Sequence, residues 1–290
     1  MTFPIFKKTS TAERIFILAA LLVIGFILSA VVAVIISLTA GRLTELNILR
    51  ISQISSQLLT FVFPPLLYVF LVKAKPMKSL GFNKSSIYIF IISFVMVYAI
   101  MPLNSIFAEW NANLRLPESM SAIEEMMKSL QEQATRVTET MLNVNNIGGL
   151  IINLIMIAGL AAIGEELLFR SLLQPFLIKI CKNAHIGIII TSAIFSFIHF
   201  EFYGFIPRLV MGMLLGYMFY FSRSIWVPML MHFANNATAV IIYYLNNKEI
   251  TDIDVDTFGQ TNTLTLTISI LLMIFLFWVT IRHFKTTEDD

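Results

Sequence analysis

Four short signatures with charged, imidazole or amide side chains interrupt segments that are otherwise apolar enough to cross a bilayer. A charged side chain at the centre of a membrane helix costs roughly 2.5 to 3.5 kcal/mol on insertion scales, so such residues mark a functional site. In chain order the signatures are Glu165-Glu166-x-x-x-Arg170, Phe195-x-x-x-His199, Arg208 and His232-x-x-x-Asn236.

The first signature predicts an ion pair next to a carboxylate that takes no part in that pair. On a helix, Glu166 and Arg170 are four residues apart and share a face, so they can pair and offset each other's desolvation. Glu165 projects about 100° away from that pair. One carboxylate is thus held ionised by an arginine, while its neighbour is available as a general base.

The two histidines extend the same site. His199 lies one helical turn from Phe195, and His232 lies one turn from Asn236, so each histidine shares a face with its companion. Three helices can therefore aim Glu165 and the two histidines at one point. A glutamate near histidines can activate water as a general base, and a His–Asn pair can donate hydrogen bonds to a developing oxyanion.

The same side chains could instead hold zinc, which binds imidazole nitrogen and carboxylate oxygen. If a metal is present, its expected ligands are Glu165, His199 and His232. The sequence has no His-Glu-x-x-His motif. Asparagine is a poor zinc ligand and no thiolate joins the two imidazoles, so a bound water is favoured over a permanent zinc ion. The cofactor prediction is therefore none required, with zinc as the alternative.

Composition places this site in an integral membrane protein. Of the 290 residues, 57% are hydrophobic and 13% are charged, and the mean hydropathy is +0.81. Soluble proteins average about 25% charged residues, so a soluble fold is excluded. The net charge of +2 gives no reason to expect a nucleic-acid partner, and one cysteine, Cys181, excludes an intrachain disulfide.

The elements that carry the signatures are apolar stretches of about 20 residues, which match a hydrocarbon core of about 30 Å. We predict an all-α bundle of about eight transmembrane helices around a polar intramembrane cavity. The eight spans lie near residues 15–39, 53–72, 86–107, 148–168, 186–203, 205–222, 225–245 and 262–281.

Basic residues predict the orientation. With the N-terminus inside, 13 of the 20 Lys and Arg fall in cytoplasmic segments, so both termini are expected in the cytoplasm. The expected location is the inner membrane of a bacterium. These spans place Glu165 and His232 in the cytoplasmic half, which predicts substrate access from that side. His199 falls nearer the outer face, which requires a tilted or broken helix or a different fifth span.

Three parts follow along the chain. Residues 1–147 hold the first three spans and a long outer loop, residues 148–245 hold all the signatures, and residues 246–290 hold an acidic loop and the last span. In the outer loop, apolar residues at steps of three and four predict an amphipathic helix over 117–142. Ser121-x-x-Glu124 is typical of a capping box at its start.

Two further motifs are interpreted as structural. Gly212-x-x-x-Gly216 is typical of a face where membrane helices pack closely. The run Asp252, Asp254 and Asp256 lacks the glycine and closing glutamate of a calcium loop, so a solvated acidic loop is expected.

The ordered trio of motifs around Glu165, His199 and His232 resembles the signature of the CAAX protease and bacteriocin-processing family of intramembrane endopeptidases. The resemblance covers roughly residues 148–245. It implies an eight-helix bundle in which the residue matching Glu165 activates water with help from His199. The residues matching His232 and Asn236 would stabilise the oxyanion, with Glu166, Arg170 and Phe195 in support.

The favoured hypothesis is thus an intramembrane endopeptidase that acts on a peptide or protein substrate at the bilayer, prenylated or not. One alternative is a proton-coupled transporter, because intramembrane Glu and His also serve as proton relays. Inverted repeats, which many carriers have, are not visible in the sequence. The other alternative is a non-catalytic bacteriocin-immunity or scaffold protein.

Overall fold

The computed structural model describes residues 5–6, 9–38, 41, 43–253, 258–260 and 262–289, with side chains as far as residue 284. Within these ranges all regular structure is helical. Asp254 and Asp256 of the acidic run lie outside the described residues. The principal helices are α1 (Thr11–Leu38), α2 (Glu45–Val72), α3 (Ile87–Ala112), α4 (Ser121–Leu142), α5 (Ile147–Cys181), α6 (Ala184–Phe197), α7 (Phe205–Ser222), α8 (Trp226–Asn247) and α9 (Thr263–Asp289).

The all-helical membrane fold is confirmed, and the number of spans is approximate. Six helices in the described part of the chain are long and apolar enough to cross a membrane, namely α1, α2, α3, α5, α7 with its preceding turn, and α9 as far as Phe284. Helix α6 has 14 residues, or about 21 Å, which is too short for a core of about 30 Å. Helix α8 has 22 residues, but His232 and its asparagines lower its hydropathy.

The fifth helix, α6, is shorter than the span predicted at 186–203, and α5 is longer than the span predicted at 148–168. These two corrections remove the mismatch in depth. Helix α5 does not stop near residue 168 but continues to Cys181, so Glu165 lies at its middle. Lys182 ends α5 in the left-handed conformation, at φ 51°, and the Asn183 side chain accepts a hydrogen bond from Ile186 N to start α6. The chain thus reverses direction within two residues.

This reversal brings the first two signatures to the same height in the bundle. Glu165 and His199 are each seventeen residues from Lys182, and α5 and α6 run antiparallel from that turn. Equal numbers of residues give equal rise on antiparallel helices. The argument that Glu165 opens toward the cytoplasm depended on the shorter helix and no longer holds.

Small residues let α6 and α7 approach closely, which confirms the interpretation of Gly212-x-x-x-Gly216. A Cβ at Gly212 would lie 3.1 Å from Ser192 Cβ, and a Cβ at Gly216 would lie 2.8 Å from the Ile188 side chain. Larger side chains would force α6 and α7 apart. The carbonyls of both glycines also accept hydrogen bonds from side chains of α5.

Two clusters of buried apolar residues hold the bundle together, and both include residues of α8. One joins α3, α7, α8 and α9 and includes Met96, Leu215 and Met231. The other joins α1, α2, α5 and α8 and includes Tyr68 and Leu167. Helix α8 contributes to both clusters, so its polar signature is fixed between them.

The amphipathic helix predicted over 117–142 is present as α4, but its capping box is not formed. No side chain caps the helix start at Ser121. Glu124 instead accepts a hydrogen bond from Leu116 N at 3.2 Å and pairs with Lys128 at 2.9 Å. The hydrogen bond from Lys128 holds the pKa of Glu124 below its usual value. The acid thus ties the helix to the chain that precedes it.

The orientation prediction can be tested by labelling single cysteines in a Cys181→Ser background. Ser129 on α4 and Ser79 in the turn after α2 are both exposed. If both termini are cytoplasmic, cysteine at position 129 should react with a membrane-impermeant maleimide on intact cells, whereas cysteine at position 79 should react only after lysis. The reverse pattern would refute the orientation.

Candidate active site

The centre of the site is a fully buried ion pair on α5. Arg170 Nε lies 3.1 Å from Glu166 Oε2, and both side chains have no exposed surface. The N–H and the oxygen are not aligned for a hydrogen bond, so the contact is electrostatic. Arg170 Nη2 donates to the carbonyl of Gly212 at 3.2 Å. The ion pair predicted from the spacing is therefore present, and α7 contributes to it through its backbone.

Phe195 on α6 forms one wall of the site. The Arg170 guanidinium lies over its ring at 4.7 Å from the centroid, which stabilises a cation in a dry environment. The rings of His199 and His232 meet the same phenylalanine edge to face, with centroids 5.0 and 5.9 Å away. One aromatic side chain thus fixes the planes of both imidazoles and covers the arginine.

The δ nitrogen of each histidine is hydrogen-bonded to an acceptor. His232 Nδ1 lies 2.9 Å from Glu166 Oε1, and His199 Nδ1 lies 2.7 Å from the carbonyl of Phe195. An ionised carboxylate and a carbonyl can only accept, so both Nδ1 atoms must donate. In the neutral imidazoles the ε nitrogens then carry lone pairs.

Both ε nitrogens face one oxygen of Glu165. Glu165 Oε2 lies 3.9 Å from His199 Nε2 and 3.8 Å from His232 Nε2. The same oxygen is buried and has no hydrogen bond from the described residues. The three residues predicted to meet therefore do meet, although they come from α5, α8 and the segment after α6.

Three lone pairs that converge in a buried site require a donor or a cation between them. The separations are too long for direct hydrogen bonds and suit a bridging water, which could donate to two of the three atoms. His199, whose side chain is 27% exposed, is the most open of the three. The arrangement can therefore hold a water against a carboxylate.

Zinc also binds these donor atoms, but it requires them to lie at a defined spacing. Zinc bonds of about 2.0 to 2.2 Å place two tetrahedral donor atoms roughly 3.4 Å apart. The distances from Glu165 to His199 and His232 are longer. In the described part of the chain no group of three His, Cys, Asp or Glu residues is placed to hold a metal ion. The donors have the right chemistry for zinc but not the spacing.

Asn236 lies one turn beyond His232 and has a different set of partners. Its Nδ2 donates to the carbonyl of Ile157 at 3.2 Å, and its Oδ1 accepts from Asn235 at 3.2 Å. Ile157 lies in a π-helical turn of α5, Leu154–Leu160, where the altered pitch frees a carbonyl. One N–H of the amide remains for a ligand, so the predicted role in binding an oxyanion stays a prediction.

Arg208, the fourth signature, does not join the cluster. Its guanidinium pairs with the carboxylate of Glu201 on the segment between α6 and α7. Because Glu201 follows His199 by two residues, this pair ties down the segment that carries the histidine. Arg208 is therefore a positioning residue for that segment.

Gln57 is a site residue that the sequence analysis missed. It is buried on α2, and its Nε2 donates to Glu165 Oε1 at 3.3 Å. The approach is possible because Gly164 has no side chain, since a Cβ there would lie 2.9 Å from Phe61 Cβ. An amide inside the apolar span predicted at 53–72 was the available signal.

The fold and the site define a multi-pass helical membrane protein with a buried Glu–His cluster. Residues 147–238 match the family model described as type II CAAX prenyl endopeptidase Rce1-like. The match extends from the start of α5 to α8 and includes all four signatures, so the resemblance to the CAAX protease family is confirmed over this segment. Searches of curated proteins and of solved structures gave no match.

The buried ion pair predicts a large effect on stability. Replacing Arg170 by Met should lower the free energy of unfolding by about 3 to 5 kcal/mol, because it leaves Glu166 charged and without its arginine in a dry interior. The measurement is SDS-driven unfolding followed by tryptophan fluorescence. Arg208→Met is the control, since it breaks a pair that is partly exposed. Equal losses in the two variants would contradict the prediction.

Proposed function

We propose that this chain is an intramembrane endopeptidase that hydrolyses a peptide bond with water activated by Glu165. The observation that carries the proposal is the convergence of Glu165 Oε2 and two imidazole ε nitrogens within 4 Å in a buried site. The family match supports a CAAX-type intramembrane protease at the level of the family.

In the proposed reaction, Glu165 Oε2 accepts a proton from a water that also contacts His199. The water oxygen attacks the carbonyl carbon of the substrate, and negative charge develops on the carbonyl oxygen. Glu165 is suited to this role because Gln57 fixes one of its oxygens and leaves the other for water. A positioned general base contributes typically 10²- to 10⁴-fold in rate.

His232 is proposed to stabilise the oxyanion after its Nε2, which carries the lone pair of the neutral ring, has taken up a proton from solvent as the substrate binds. Its Nδ1–H donates to Glu166, so Nε2–H can donate to the developing negative charge. Glu166 then lies between two cations, the imidazolium and Arg170. The N–H of Asn236 that remains available supplies a second donor one turn away. The proton held by Glu165 passes to the leaving amine as the peptide bond breaks.

Substitutions at the cluster test the base and its partner separately. Glu165→Gln keeps the size of the side chain and the contact with Gln57, but the amide cannot accept the proton, so turnover should fall by about 10² to 10⁴. His199→Ala should produce a loss of similar size. The assay is cleavage of a membrane-associated peptide in detergent, with and without a prenyl group.

Glu109→Gln, at an exposed position on α3, is the matched control and should retain full activity. Undiminished turnover in Glu165→Gln or His199→Ala would remove that residue from the mechanism. The Glu165→Gln variant also separates the two alternative functions, an immunity or scaffold protein and a carrier, which the family match does not favour. An immunity or scaffold protein would keep its protective effect in Glu165→Gln, and a carrier would show substrate-dependent ion flux that is independent of cleavage.

Chelation tests the proposal that no metal is required. We expect purified protein to contain less than one equivalent of metal and to keep its activity after prolonged chelation. The physical reason is that the donor atoms around Glu165 lie farther apart than the ligands of a zinc site. One equivalent of zinc, with activity lost on chelation and restored by added zinc, would overturn this part of the proposal.

A further inference from the structure

The segment that carries His199 is tied to α3 by one buried amide. Asn111 lies one residue before the end of α3 and is 4% exposed. Its Nδ2 donates to the carbonyl of Phe202 at 3.0 Å, and its Oδ1 accepts from Ile206 N at 2.6 Å. A single side chain thus holds both ends of the turn between α6 and α7.

The bond to Ile206 supplies a cap that α7 cannot provide for itself. The first backbone N–H groups of a helix have no partner within the helix, and the side chain of the preceding residue commonly accepts from one of them. The residue before α7 is Gly204, which has no side chain. Asn111 takes its place from a position 95 residues earlier in the chain. The start of α7 therefore depends on α3.

The turn needs a restraint because its backbone is strained. Phe200, the residue directly after His199, has φ 54°, and this conformation is rare for bulky side chains. A residue stays in such a conformation only where the surrounding structure holds it there. The side chain of Phe200 is exposed, so its own packing is a weak restraint. A turn released from its hydrogen bonds would change the direction of the chain one residue after His199.

Asn111 is better shielded from water than the pair of Glu201 and Arg208, which restrains the same turn. The side chains of that pair are 28% and 20% exposed, and ion pairs in contact with water contribute little to stability. The hydrogen bonds of Asn111 are buried, and removing their partner leaves Ile206 N with an unmet donor in a dry place. The amide is therefore the stronger of these two restraints.

We propose that Asn111 is a positioning residue for the reaction, because it fixes His199 through the turn that follows this histidine. The inference rests on the proposed function, in which His199 contacts the attacking water. His199 Nε2 and Glu165 Oε2 are 3.9 Å apart, which suits one bridging water. A displacement of about 1 Å can lower a rate by about 10²-fold. Asn111 lies outside residues 147–238, which the family model matches.

The first test measures amide hydrogen exchange of the full chain in detergent, without substrate. Asn111→Leu keeps the approximate size of the side chain and removes both hydrogen bonds, so exchange across residues 198–206 should become about tenfold faster. Asn113→Leu is the matched control, because the Asn113 amide donates to the carbonyl of Glu109 on α3 and not to the turn. Unchanged exchange in Asn111→Leu, or an equal change in both variants, would overturn the proposal.

The second test asks whether Asn111 acts through His199. The kcat of Asn111→Leu for peptide cleavage should fall by about 10²-fold, with KM unchanged, because the position of a reacting group is altered and the binding of substrate is not. In a His199→Ala background the same substitution should lower kcat by less than roughly threefold, since residues that act as one unit are not additive. Equal falls in both backgrounds would show a general effect on folding and overturn the proposal.

Asn111→Asp provides the same tests if Asn111→Leu does not fold. It keeps an oxygen for Ile206 N and loses the donor to Phe202, so exchange should again become faster and kcat should fall only while His199 is present. Exchange and turnover equal to those of the unsubstituted protein would overturn the proposal.

The two proposals of this article fail in different ways. If the proposed function fails, Glu165→Gln keeps its turnover, whereas the exchange result for Asn111 still stands. If the positioning role fails, Glu165→Gln is inactive while Asn111→Leu behaves like Asn113→Leu.

Discussion

The pairing of the buried Glu166 carboxylate is the constraint on which the rest of the site depends. It is fully buried, and it holds Arg170 through one oxygen and the imidazole of His232 through the other. A carboxylate removed from water is stable only when such partners surround it. Because the partners come from the same helix and from α8, the requirement to satisfy one charge fixes the distance between two helices. Glu165, the next residue, is thereby directed at the histidines.

Helix geometry around this charge is adapted by departures from the regular α-helix. Three π-helical turns, at Gln57–Val62, Leu154–Leu160 and Phe169–Leu173, each carry a residue that contacts the cluster or its supports. A π turn shifts the register of side chains and frees a carbonyl. The amide of Gln57 reaches Glu165, the carbonyl of Ile157 accepts from Asn236, and Arg170 reaches the backbone of α7. Irregular helices are thus used where polar groups need partners in an apolar interior.

Close packing is the second requirement of the site. Arg170 and Gln174 donate to the backbone carbonyls of Gly212 and Gly216 on α7, and a Cβ at Gly216 would lie 2.9 Å from Gln174 Oε1. The same contacts hold α5 against α7 beside the Glu–His cluster.

The sequence alone determined the class of fold, the ion pair and the three residues that converge. Periodicity places Glu166 and Arg170 on one face, and the cost of charge in hydrocarbon singles out Glu165, His199 and His232, because these rules act within one helix or on one side chain. The sequence could not determine the length of α5. Polar residues after position 168 lower the hydropathy of this helix, although it continues unbroken to Cys181.

Tertiary structure decided which atoms of those residues meet. The reversal at Lys182 places His199 at the height of Glu165, and Gly164 leaves room for Gln57. Glu124 accepts a hydrogen bond from Leu116, outside its own helix, instead of forming the predicted capping box. The tautomers of both histidines follow from acceptors that lie far away in sequence or depend on the end of α6. Contacts between helices depend on register, pitch and side-chain volume at the interface, and these are properties of the packed bundle rather than of any one segment.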